Sequence, residues 1–123
     1  NARGELITLS EATVKLEMNG QAFMSVAEGN GPVNALDAGL RKVLTPLYPQ
    51  LADLRLVDYK VRILTPNDGT GAVTRVMIES ADGHGGAWST VGVSTNVIDA
   101  SFNALNDSIV YKLFRDRATP PAA

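Results

Sequence analysis

Val14, Leu16 and Met18 alternate with Thr13, Lys15 and Glu17, the period-two pattern of a strand with one buried face. Asn19-Gly20 follows, a pair suited to the two-residue hairpin turn that needs positive φ at both positions. The pattern predicts the returning strand over residues 22–27, with Phe23 and Val26 as its larger apolar residues. Gly29-Asn30-Gly31-Pro32 breaks that strand, and Pro32 suits the first position of a helix, where a missing N–H costs nothing. Val33, Leu36, Leu40, Val43 and Leu47 then recur at helical spacing, with Asp37, Arg41 and Lys42 on the other side. Pro46 and Pro49 predict the end of the helix.

A third strand is predicted over residues 54–64, with Val57, Tyr59, Val61 and Ile63 on one face and Asp58, Lys60 and Arg62 on the other. Residues 66–71 read as a turn, residues 73–80 as a fourth strand, 82–86 as another turn and 87–93 as a fifth strand. Ser94 or Thr95 can cap a last helix whose buried stripe would be Ile98, Phe102, Leu105, Ile109 and Leu113.

Sliding residues 20–44 onto 85–109, an offset of 65, makes 5 of 25 positions identical: Gly20/Gly85, Ala22/Ala87, Val26/Val91, Ala35/Ala100 and Leu40/Leu105. Strand, loop and helix coincide at the same offset, which carries more weight than the identities. Each unit is a hairpin feeding one helix, too little to bury its own apolar face, so two units related by a pseudo-twofold axis are expected in an α+β fold. The second has an extra leading strand, whereas the first has only residues 6–9 in that place. The expected organisation is a linker or first-strand remnant at 1–9, a folded segment at 10–115 with units at about 10–50 and 53–114, and a tail at 116–123.

Composition narrows the class. The 123 residues are 45% hydrophobic and 20% charged, as in globular domains. No apolar run approaches the roughly 18 residues that span a bilayer, and no segment laid out like a signal peptide heads the sequence. The absence of cysteine excludes disulfides and thiol chemistry. Eleven basic against 13 acidic residues give a net charge of −2, against a nucleic-acid surface. A cytoplasmic protein with neither membrane nor nucleic-acid partner is expected.

Candidate chemistry is sparse. His84, the one imidazole, lies among glycines in a predicted turn and reads as an exposed loop residue rather than a general base. Asp58, Asp68 and Asp82 are spread over strands and turns, so neither a metal site nor a catalytic set is expected. Residues 68–72 are glycine-rich but lack the lysine and following helix of a phosphate loop. Gly29-Asn30-Gly31-Pro32-Val33-Asn34 is more promising, because small residues before a helix let an anion approach bare N–H groups. The bland alternative is a strand-to-helix turn. Tyr59 reads either as core or as the wall of a small-molecule pocket.

Residues 28–37 (Glu-Gly-Asn-Gly-Pro-Val-Asn-Ala-Leu-Asp) and 56–63 (Leu-Val-Asp-Tyr-Lys-Val-Arg-Ile) together resemble the C-terminal regulatory, or allostery and dimerisation, domain of the 2-isopropylmalate synthase and citramalate synthase family. Residues 69–75, 88–93 and 96–105 continue the resemblance, which runs from about Ser10 to Leu113. It implies two strand-strand-strand-helix units, pairing of subunits, and binding of an end-product amino acid that inhibits the enzyme. In the parent acyltransferases, a separate barrel joins acetyl-CoA to a 2-oxo acid with a divalent metal. The regulatory segment would hold neither catalytic residue, metal nor cofactor. The implied effector-binding positions are Gly29, Asn30, Gly31, Pro32, Val33, Leu56, Tyr59, Ile63, Gly71 and Val73, with Gly71 subject to a one-residue slip. The turn would take the α-carboxylate, while Leu56, Tyr59, Ile63 and Val73 would enclose a branched side chain.

Residues 88–93 and 107–113 look closer to the citramalate synthase branch, whose usual effector is isoleucine; leucine, the isopropylmalate synthase effector, is the runner-up. The family has a full first strand ahead of the segment beginning near Gly4, so the chain reads as an excised piece whose first unit exposes an edge. Two alternatives stand beside the effector-binding reading: a purely structural dimerisation module without a working pocket, and a small catalytic domain.

Overall fold

Asn19 and Gly20 take φ of 53° and 78°, and the positive pair turns strand β1 (Ser10–Met18) back into β2 (Gln21–Gly29). Met18 faces Gln21 across the turn, and the register runs unbroken to Ser10 opposite Gly29. In this computed structural model residues 9–64 and 71–117 are described. The expected leading segment at 6–9 lies outside them except for Leu9. The chain divides after Leu44 into two compact units.

In the first unit, Val14 and Ala27 of the two-stranded sheet are buried together with Val33, Ala35, Leu36, Leu40 and Val43 of helix α1 (Pro32–Leu44). Pro32 opens the helix as its fixed φ predicts. The helix stops two residues before Pro46, leaving Leu47 outside the stripe assigned to it. Arg41 pairs with Asp37 at 3.0 Å on the half-buried flank. Val26 faces away from the helix and is exposed, so Ala27 rather than Val26 joins the core.

The second unit begins with a 3₁₀ turn, Pro49–Asp53, which buries Leu51. An antiparallel sheet follows in the order β3 (Arg55–Leu64), β4 (Val73–Ala81), β5 (Ala87–Ser94). A bulge between Leu56 and Asp58 leaves Val57 outside the ladder, which changes the alternation expected for β3. Leu56, Tyr59, Val61 and Ile63 pair with Ser80, Ile78, Val76 and Thr74 and thus share their face. Val57 does not share that face and is exposed.

Helix α2 (Val97–Arg115) packs on β4 and β5. Its buried residues are Ala100, Ser101, Ala104, Leu105, Ser108, Ile109 and Lys112, so the expected stripe is corrected in part. Leu105 and Ile109 hold, Phe102 and Leu113 are half-buried, and Ile98 is exposed. The reason is closeness of approach: a Cβ on Gly92 would overlap the Ala100 carbonyl, so alanine and serine face the sheet and larger residues stand to the flanks. The cap also differs from expectation. Asn96 accepts from the N–H groups of Ile98 and Asp99, and Ser94 only receives the N–H of Asn96.

The repeat is visible in the bonds of each unit. Ser25 Oγ donates to the Gly39 carbonyl at 2.6 Å, and 65 residues on Thr90 Oγ1 donates to the Ala104 carbonyl at 2.7 Å. Ala35 N–H bonds the Gly31 carbonyl as Ala100 N–H bonds that of Asn96. Gly20 and Gly85 both take φ near 80°. Among the described residues, two helices and two antiparallel sheets make the fold α+β, as predicted.

Candidate functional site

The strand-to-helix turn of the first unit is tight. A Cβ on Gly29 would lie 2.5 Å from Ala35 N and 2.8 Å from Asn34 C, so a side chain there would collide with backbone. Asn30 and Pro32 are exposed, Gly31 is half-buried, and Val33 as a whole residue is only 2% exposed. Val33 is therefore core, its side chain unable to line a pocket wall. The N–H groups of Val33 and Asn34 fall in the first helical turn, where no preceding intrahelical carbonyl reaches them. In the second unit the Asn96 side chain meets this need; the equivalent position in the first unit is Gly31, which has no side chain to offer.

The other five expected positions belong to the second unit. Leu56 and Tyr59 are half-buried and Ile63 is 68% exposed, all three on the α2-side face of β3. Val73 pairs with Leu64 on the opposite face, and Gly71 precedes β4 with open space around it. The bulge thus puts Leu56 on the same face as Tyr59 and Ile63, the three spread along roughly 20 Å of strand, while Val73 stands on the other face. The glycine-rich turn considered for phosphate binding lies largely outside the described residues.

The densest polar cluster escaped sequence reading. Lys112 Nζ, with no side-chain exposure, lies 2.7 Å from Asp116 Oδ2 and 3.0 Å from Asp82 Oδ2. It is also 3.0 Å from Asp53 Oδ1, an ion pair without an aligned hydrogen bond. Arg115 adds a contact of 2.9 Å to Asp82 while its guanidinium lies over Trp88. Burial pulls the Lys112 ammonium down, but Asp116, Asp82 and Asp53 together hold it above the usual lysine range. Burial likewise raises the Asp82 carboxyl, and Lys112 with the N–H groups of Gly86 and His84 outweighs it, leaving it well below the usual range. Asp53 is lowered mainly by Lys112, with burial opposing and the Gly83 N–H assisting. These bonds tie the 3₁₀ turn, the β4–β5 turn and the end of α2 into one scaffold. A readable signal existed: Lys112 lies three residues after Ile109, seven after Leu105 and four before Asp116. A second buried set joins Ser80 and Ser108 at 2.6 Å, with Trp88 Nε1 donating to Ser108 at 3.1 Å.

His84 is an exposed turn residue, with Nε2 3.6 Å from Asp53 Oδ2. Among the described residues no group of three or more histidine, aspartate or glutamate side chains is arranged to hold a metal ion, the centre of the acidic cluster being filled by the Lys112 ammonium. No helix among them is long and apolar enough to cross a membrane.

Residues 4–113 match the LeuA allosteric (dimerisation) domain. The sequence is 54% identical over 114 residues to an (R)-citramalate synthase of Aquifex aeolicus, covering 93% of this chain and 21% of that protein. It is 57% identical over 102 residues to an (R)-citramalate synthase of Synechocystis, covering 83% and 18%. A 2-isopropylmalate synthase of Aquifex aeolicus is 37% identical over 98 residues, covering 80% and 17%. The chain spans about a fifth of the length of these curated relatives.

Proposed function

Since the chain belongs to the family of LeuA allosteric (dimerisation) domains, we propose that it is the effector-binding regulatory domain of an acyl-CoA-dependent 2-hydroxy-acid synthase of the citramalate synthase branch. The observation that carries the reading is the match over residues 4–113, joined to higher identity with citramalate synthases than with 2-isopropylmalate synthase. The effector is a branched-chain amino acid, isoleucine before leucine. Its carboxylate is taken at the Gly29–Val33 turn, where the N–H groups of Val33 and Asn34 and the helix dipole favour an anion. Taken by itself, the second unit offers Tyr59, on the α2-side face of β3, as an apolar wall for a branched side chain, whereas Val73 on the other face of that strand pair fits less well. Regulation follows from differential affinity: an effector that prefers one arrangement of the parent enzyme lowers activity by the coupling free energy between its site and the distant barrel.

The domain also pairs as a homodimer in this reading. Val110 and Phe114, one turn apart on the outer side of α2, are exposed, Phe114 at 82%, and apolar surface of this kind marks an interaction site.

Calorimetry and thermal melting of the chain with isoleucine, leucine and glycine test the effector reading. A calorimetric isotherm and a raised melting temperature are expected with isoleucine or leucine and not with glycine. Gly31→Asn, which gives α1 the cap that Asn96 gives α2, is expected to keep the fold and lose the response. Tyr59→Ala should weaken binding by about 2–4 kcal/mol. No response to either amino acid at millimolar concentration would leave the structural dimerisation module as the reading. Sedimentation showing only the 13.0 kDa monomer at high micromolar concentration would overturn the dimer.

A further inference from the structure

On the face of the second unit's sheet turned away from α2, Arg62 and Arg75 stand directly opposite each other in the β3–β4 ladder. Lys60 lies two residues along β3, opposite Met77. The four residues line a single open cavity of about 130 Å³. Like charges at directly paired positions destabilise a sheet, so this arrangement weakens the fold unless an anion offsets it. Among the described residues none of the three cations has a carboxylate partner; the ion pairs found are made by Arg41, His84, Lys112 and Arg115. The nearest acids on this face, Asp58 and Glu79, stand opposite each other in the ladder on the far side of Lys60 from the two arginines, so the guanidinium groups have no acid beside them on these two strands. The chain as a whole carries a net charge of −2, so the cluster does not follow from a generally basic surface.

We propose that Arg62, Arg75 and Lys60 form a binding site for a phosphate-class polyanion. Guanidinium forks match phosphate oxygens two at a time, and the ammonium adds a point charge. Three cations call for more negative charge than one carboxylate carries, which separates this site from the amino-acid site proposed above. Val93, opposite Arg75, and Val91, opposite Met77, are exposed beside the cluster. They offer an apolar ledge to the body of a phosphorylated ligand. Free pyrophosphate and a nucleoside diphosphate share the required chemistry, and both are used as probes.

The test is calorimetry and melting of the 123-residue chain with pyrophosphate and with ADP, at matched ionic strength against sodium chloride. The site predicts an isotherm with at least one probe, weakening as salt rises, and a raised melting temperature that chloride does not reproduce. Tighter ADP binding assigns the ledge to the ligand body, and tighter pyrophosphate binding assigns the site to the free anion. Arg62→Gln and Arg75→Gln should each bind at least tenfold more weakly while melting no lower than the parent, because each removes a like-charge contact. Unchanged isoleucine titrations in these variants would separate the site from the effector reading. No isotherm at low salt, or undiminished binding in the double variant, would overturn the proposal. Loss of self-association in the arginine variants, with the parent indifferent to both probes, would overturn it in favour of a second copy on this face.

Discussion

Lys112→Met keeps an unbranched side chain but removes the ammonium from among three carboxylates. In the parent, Lys112 and Arg115 face Asp53, Asp82 and Asp116; in the variant Arg115 alone remains. Breaking a buried ion pair by removing one partner costs about 3–5 kcal/mol. Here water recovers part of that loss, since the Asp53 and Asp116 side chains are 35% and 19% exposed. Asp82, fully enclosed, keeps the Arg115 contact and the N–H groups of Gly86 and His84. The low end, about 3 kcal/mol, is therefore expected, or a drop of roughly 10–15 °C in melting temperature for a domain of this size. The pH dependence tests the cause. In the parent, Asp53 and Asp82 are held below their ordinary values, so their contribution is present above the unfolded carboxylate range and is lost only as pH falls through the lower folded values. Lys112 is raised, so its share is complete below its ordinary value and is lost only as strongly alkaline pH passes the folded one. Without the ammonium, burial raises the Asp82 carboxyl, and the variant should gain on the parent as pH falls from 7 towards 4. Denaturant melts across that range measure the gap. A loss under about 1 kcal/mol, or one independent of pH, would refute the electrostatic account and leave only the packing of the lysine stem.

Gly92→Ala places a methyl group on the Ala100 carbonyl and should cost about 1–3 kcal/mol or more by forcing α2 off the sheet, read as a lower denaturant midpoint. Gly29→Ala meets the backbone of Asn34 and Ala35 and should destabilise the first unit by a similar amount, visible as early loss of amide protection in β1 and β2. Asn96→Ala removes the acceptor for Ile98 and Asp99 and should cost about 1 kcal/mol; an unchanged melt would mean that the α2 cap is made elsewhere.

The elements written in short-range pattern were legible in the sequence. Asn19-Gly20, Pro32 and the 65-residue repeat each rest on a local rule, and the structure places all three as read. What failed depended on contacts distant along the chain. The bulge at Val57 shifts which β3 residues share a face, and a one-residue slip cannot be seen from alternation alone. The α2 stripe was assigned to the largest apolar residues, whereas close approach at Gly92 selects the smallest. Lys112 drew no reading because a lone lysine in a helix is usually solvated, and Asp53 and Asp82 join it only in three dimensions. The amino-acid positions came from family resemblance, not from any pattern: composition marked the glycine turn as promising and said nothing of Leu56 or Ile63.

The two kinds of fastening in this chain also differ in when they can close during folding. Ser25–Gly39 and Thr90–Ala104 each span 14 residues, whereas Lys112–Asp82 spans 30 and Ser80–Ser108 spans 28. Each doubling of a loop adds about 0.6 kcal/mol to the entropy of closing it, and chains rich in near-neighbour contacts fold fast. Hairpin and helix can thus dock in each unit while the ion cluster is still open. Substitutions at Ser25 and Thr90 should accordingly slow refolding, and those at Lys112 should chiefly speed unfolding. The charged cluster then acts as a late latch, governing how long the second unit stays folded more than how soon it gets there.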